Sequence, residues 1–226
     1  SRSTSTPSSD PHPPSFRRWH LMIEFKGYDR LVNFTDAVVA IAATLLILPV
    51  VEAATVVGHD QADVFMQHLW PYLSMFFLSF AVIAFFWLEH HRMFRRIDKF
   101  DTFMIVANFV WIIGVVVMPV PTALIVRGNS RDVVAITFYI STMLLIALSQ
   151  FVMSNHVKNK PALEHDGERA TSRWLGDLIL VLLLCAALII GLVVPEAGLL
   201  PLLLVFLVPG LVRLLRRRRS SSPIGQ

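Results

Sequence analysis

Six long, nearly uninterrupted apolar runs constrain this chain more than any other feature. They cover about residues 33–51, 69–88, 103–125, 133–152, 174–194 and 197–215, each near the ~20 residues that cross a hydrocarbon core as a helix. The last two are separated only by Pro195 and Glu196, a tight hairpin. With 55% of 226 residues hydrophobic and 16% charged, the chain has more apolar surface than one soluble core of this size can hide. The fold class expected is therefore all-α, a polytopic membrane protein with six transmembrane helices per subunit. Residues 1–25 form the N-terminal segment, cytoplasmic and disordered in its Ser- and Pro-rich part. Residues 26–215 form the membrane domain, and 216–226 a basic cytoplasmic tail.

Lysine and arginine orient this bundle. Arg17, Arg18, Lys26 and Arg30 precede the first run, and Arg92, Arg95, Arg96 and Lys99 follow the second. Lys158, Lys160, Arg169 and Arg173 lie between the fourth and fifth, and Arg213 with the four arginines at 216–219 follows the sixth. The alternate loops carry only Arg127 and Arg131. Placing every basic loop in the cytoplasm is consistent across six crossings and puts both termini inside. The net charge of +4 then reflects membrane topology, and no nucleic acid is expected as a partner. The arginine run reads first as a topology anchor, with anionic membrane lipid as the sharper alternative. The charged lead into the first run does not read as a cleaved signal peptide, and an opening on Ser1 rather than Met leaves room for an upstream piece.

The first run is the unusual one. Asp36 falls at the membrane boundary, where an ionised carboxylate is costly unless paired or wet. Arg30, or His90 and His91 at the end of the second run, are within reach as partners. At about 100° per residue, Ile41, Thr44, Leu45 and Leu48 share one helical stripe, and Asp36 points about 140° away from it. Ala37, Ala40, Ala42 and Ala43 let neighbouring helices approach closely. On pattern alone, ordinary packing with a threonine bonded to its own backbone stays open.

Arg30, Phe34, Thr35 and Asp36 resemble the Arg-x-x-x-Phe-Ser-Asp signature of the transmembrane protein 175 family of potassium channels. The stretch Ala40-Ile41-Ala42-Ala43-Thr44-Leu45-Leu46, the end of the second run from Phe86 to Arg92, and Pro119-x-Pro121 are similar to that family as well. Thr35 stands where serine is usual and Ala37 where glycine is frequent. The resemblance implies a bacterial member, located in the plasma membrane, that conducts K+ passively as a homotetramer with the first helix lining a central pore. Ile41 would be the hydrophobic constriction, with Leu45 and Leu48 along the same wall, and Thr44 the hydroxyl layer tied to selectivity. Arg30, Phe34, Thr35 and Asp36, with His90 and His91, would be the structural network that holds the pore helix. No cofactor is implied, only the permeant ion. An isoleucine ring can close a narrow pore by dewetting, and threonine oxygens can replace part of a cation's hydration shell.

Other candidates for chemistry read as structural. His90 and His91 are adjacent, so their rings point about 100° apart and cannot easily share a metal. Asn108, Ser149 and Gln150 lie within runs as interhelical glue, and Cys185 as a small core residue. Glu52, Asp60 and Asp63 make an acidic first outer loop that is either simply solvated or a funnel for cations. No nucleophile, base and orienting group stand together, which gives an enzyme no support. A coupled secondary transporter and a non-conducting membrane scaffold are the competing functions. No inverted repeat or Gly-broken pair of spans favours the transporter.

Overall fold

The computed structural model describes residues 16–57, 62–97, 100–128, 132–160 and 174–194. Its elements are all helices: α1 (Phe16–Leu45), α2 (Leu48–Val57), α3 (Ala62–Phe94), α4 (Thr102–Val117), α5 (Pro119–Arg127), α6 (Val133–Asn159) and α7 (Trp174–Val193). They make five segments long and apolar enough to cross a membrane: Arg30–Thr55, Val64–Phe94, Thr102–Arg127, Val133–Asn159 and Trp174–Val193. The expected sixth span and the basic tail lie outside the described residues. Helix α1 begins at Phe16, inside the stretch assigned to a partly disordered N-terminal segment. Between Pro14 and Pro49 there is no proline to end it.

Two of the expected spans are broken where proline removes a donor. Pro49 has no N–H for Leu45 O, so the first span turns between α1 and α2, where Ile47 N donates to Thr44 O at 3.3 Å. In the third span Pro119 and Pro121 remove two donors on either side of Val120, and Met118 N closes a tighter turn on Val115 O at 3.2 Å. Thr122 then doubles the bonding to Met118 O, through its backbone N at 3.3 Å and its hydroxyl at 2.8 Å.

That hydroxyl ends a directed chain. Because Thr122 Oγ1 donates to the carbonyl, it accepts from Ser79 Oγ at 2.9 Å, and Ser79 in turn accepts from Tyr139 Oη at 3.1 Å. Three buried hydroxyls from α3, α5 and α6 are thereby satisfied beside the break.

Helix α6 is the centre of the bundle, packed by α3, α4, α5 and α7. Tyr139, Ile140, Met143, Ile146 and Met153 along it are fully buried. At Gly114 the α4 backbone comes so close that a methyl group would sit 2.6 Å from Ile146 Cγ1. Where α4 begins and α6 ends, Asp101 caps α4 by accepting from Met104 N at 3.0 Å. It also takes His156 Nε2 at 2.8 Å and Lys160 Nζ at 3.0 Å. Burial pushes this carboxyl up, but the bonds from His156, Met104 and Lys160 outweigh it and hold it well below the usual carboxylate range. Helix α1 lies at the edge of the bundle, against α3, α4 and α5.

Candidate functional site

Packing divides the first span into two faces. Thr35, Val39, Ala42 and Leu46 are buried against the bundle. Ile41, Thr44, Leu45 and Leu48 lie on the other side, with Ile41 59% and Leu48 50% exposed. Among the described residues no helix covers that face. Thr44 Oγ1 donates to Ile41 O at 2.7 Å. Its proton is thus committed to the backbone, and the oxygen's lone pairs are left facing outward.

The buried face is pinned by polar bonds to two other helices. Thr35 Oγ1 donates to Leu31 O at 2.9 Å and accepts from Asn108 Nδ2 at 3.0 Å. Asn108 thereby turns its amide oxygen to His90 Nε2, 2.8 Å away, and an oxygen that can only accept places the ring proton on Nε2. The His90 ring lies between Phe94 and Trp111, with centroids 4.1 Å from each. The group as a whole is buried. It joins α1, α4 and α3 in one fully directed set of bonds, the arrangement that costs least in a low-dielectric interior.

Asp36 is held separately. Trp87 Nε1 donates to its Oδ1 at 2.8 Å, and the two close one end of an apolar groove of about 290 Å³ between α1 and α3. Arg30 is exposed, and among the described residues no ion pair or hydrogen bond joins it to Asp36. His90 faces Asn108 instead. His91 stacks on Trp87 at 5.3 Å, and its Nδ1 has no partner among the described residues. Phe34 is half exposed beside Phe109, centroids 6.2 Å apart.

Reasoning from sequence thus named Thr35, Asp36 and His90 but missed how they are satisfied. Nothing in the sequence pattern pairs Trp87 with Asp36, and Asn108 reads there only as general interhelical glue. Ser149 bonds within its own helix, to Leu145 O at 2.8 Å. Among the described residues no group of His, Cys, Asp and Glu side chains could hold a metal ion.

Residues 30–119, from Arg30 to Pro119 at the start of α5, match the family described as endosomal/lysosomal potassium channel TMEM175. A potassium channel of Streptomyces collinus is 32% identical over 123 residues, 53% of this chain and 59% of that protein. One from Chamaesiphon minutus is 33% identical over 122 residues, 53% of this chain and 60% of that protein. The endosomal/lysosomal proton channel TMEM175 of Danio rerio is 21% identical over 137 residues, 61% of this chain and 26% of that protein. The matched part of the chain spans less than two thirds of the length of these relatives. The exposed stripe, the Asp36–Trp87 pair and the Thr35–Asn108–His90 set all fall inside the stretch that is similar to the TMEM175 family.

Proposed function

We propose that the chain is one subunit of a passive, leak-type potassium channel, a homotetramer in a bacterial plasma membrane with both termini cytoplasmic. The first span of each copy surrounds a shared axis. The observation that carries the reading is the exposed stripe Ile41, Thr44, Leu45 and Leu48 on a helix whose opposite face is firmly anchored. One helix per subunit cannot enclose a path, and identical chains close most simply in a ring. Ile41 is the dewetting constriction, Leu45 and Leu48 extend its wall, and the outward lone pairs of Thr44 stand in for part of a potassium ion's water shell. Thr35, Asp36 and His90 belong to the framework that holds this helix, with Phe34 and His91 packed beside it, whereas Arg30 is exposed and unbonded to Asp36.

A second reading, proton conduction, draws on the animal relatives that bear the name proton channel. Recording from purified protein in planar bilayers under opposed potassium and proton gradients separates the two. An ohmic current reversing near the potassium equilibrium potential is expected. Reversal that follows the proton gradient favours the second reading. Saturating coupled uptake marks a carrier, and silence from well-folded protein removes both readings.

A further inference from the structure

The first span is two rods with different partners. Helix α1 packs on α3, α4 and α5, and is pinned through Thr35 and Asp36. Helix α2 packs on α3, burying Val50 and Ala53. Its Glu52 carboxylate is ion-paired with Arg127 in the last turn of α5. Between the rods Pro49 leaves Leu45 O without its helical donor, so the ladder that would make them move as one is interrupted. The exposed stripe is divided at the same place. Ile41, Thr44 and Leu45 lie on α1, whereas Leu48 and Val51, each about half exposed, lie on α2.

We propose that Glu52 and Arg127 form a latch that positions α2, and with it Leu48, independently of Ile41, making a second constriction that moves on its own. This rests on the reading above that the first span lines the ion path. Both partners of the pair are more than half exposed. Such a pair biases a two-state equilibrium by a few fold, up to about fivefold, and does not lock it. That strength suits a latch that opens and closes.

The test places a reporter on each rod. In a Cys185→Ala background, Leu48→Cys and Ile41→Cys are made separately, and modification by a neutral maleimide is followed by protein mass. A neutral reagent is insensitive to the local field of the residues being changed. Each reporter is combined with Arg127→Gln, with Glu52→Gln, and with the swap Glu52→Arg plus Arg127→Glu. Either neutralisation is expected to change the rate at position 48 by about two- to fivefold, leave position 41 unchanged, and be reversed by the swap. Equal rates in all backgrounds, a parallel change at both positions, or a swap that restores nothing would overturn the latch. Currents measured on the same proteins address the underlying reading. If modification at neither position alters current, the first span does not line the path, whatever the rates say about the latch.

Discussion

Trp87 Nε1 donates a 2.8 Å hydrogen bond to Asp36 Oδ1, tying the first span to the second at the edge of an apolar groove. A carboxylate there has few alternatives to this donor, since Arg30 is exposed and makes no bond to it. Trp87→Phe keeps an aromatic ring but removes the N–H together with part of the indole. It is expected to cost about 2 kcal/mol, the range for a hydrogen bond to a charged group. Arg30→Ala should stay within about 0.5 kcal/mol, as surface changes usually do. Thermal unfolding of both variants in one detergent gives the order, and a larger loss for Arg30→Ala would mean that the carboxylate is balanced by the arginine after all.

The Thr35–Asn108 bond is predicted to depend on the hydroxyl and not on the size of the side chain. Thr35→Val leaves the buried Asn108 amide without its acceptor, at about 1–3 kcal/mol. Thr35→Ser retains the oxygen and is expected to recover most of that loss. Melting temperature and monodispersity on size exclusion check the pair, and equal behaviour of the two variants would show that the bond contributes nothing.

The lengths of the spans were legible because the hydrocarbon core sets how long an apolar run must be, and five of the runs fall on helical segments whose ends lie within seven residues of the expected limits. The faces of the first span were legible too, since helical periodicity separates Ile41 and Leu48 from Asp36. Partner choice was not. Trp87, His90 and His91 sit within one turn of α3, and which of them meets Asp36 depends on a rotation about the helix axis that periodicity leaves open. Ser79, Thr122 and Tyr139 lie 43 and 60 residues apart and carry no local signature of their contact. The breaks at Pro49 and Pro119 were written in the residues, because a missing donor is a property of proline alone. They were read through because hydropathy is continuous across them.

Close packing of α4 on α6 predicts opposite outcomes for two glycines. A methyl at Gly114 would lie 2.6 Å from Ile146 Cγ1, so Gly114→Ala forces the helices apart or Ile146 out of its rotamer, at about 1–3 kcal/mol. At Gly191 the same methyl finds Ile136 and Ile140 at 3.5 and 3.6 Å, ordinary contact distances. Gly191→Ala is expected to be neutral or slightly stabilising, since alanine also favours the helix. Paired melting curves distinguish the sites, and equal shifts would contradict the packing.

Asp101 predicts a pH dependence of definite sign. Its carboxyl is held below its ordinary value, so the folded chain binds that proton less readily than the unfolded chain. The stabilisation is present at neutral pH, begins to fade below the unfolded value near ~3.9, and is lost as pH falls through the folded value. Asp101→Asn can still cap α4, because asparagine accepts from Met104 N as well as aspartate does. Only the bonds with His156 and Lys160 weaken. Wild type should melt above Asp101→Asn at pH 7, and the gap should narrow as the medium is acidified. A gap that widens on acidification would reverse the sign.

Gating and selectivity are predicted to separate at Ile41 and Thr44, three residues apart on the exposed stripe. Ile41 presents only methyl groups, so Ile41→Asn hydrates the constriction and is expected to raise basal current with little change in ion preference. Thr44 presents an oxygen whose proton is already donated to Ile41 O at 2.7 Å. Thr44→Val removes that oxygen at nearly constant volume, whereas Thr44→Ser keeps it and can make the same backbone bond. Under bi-ionic potassium and sodium, Thr44→Val should conduct with a reversal potential moved toward zero, and Thr44→Ser should stay near the wild type. A wild-type reversal potential for Thr44→Val removes the hydroxyl from selectivity, and unchanged current in well-expressed Ile41→Asn removes the gate. If both results came back unchanged, the exposed stripe would face lipid or a partner helix, and the ion path would have to be sought on another face of the bundle.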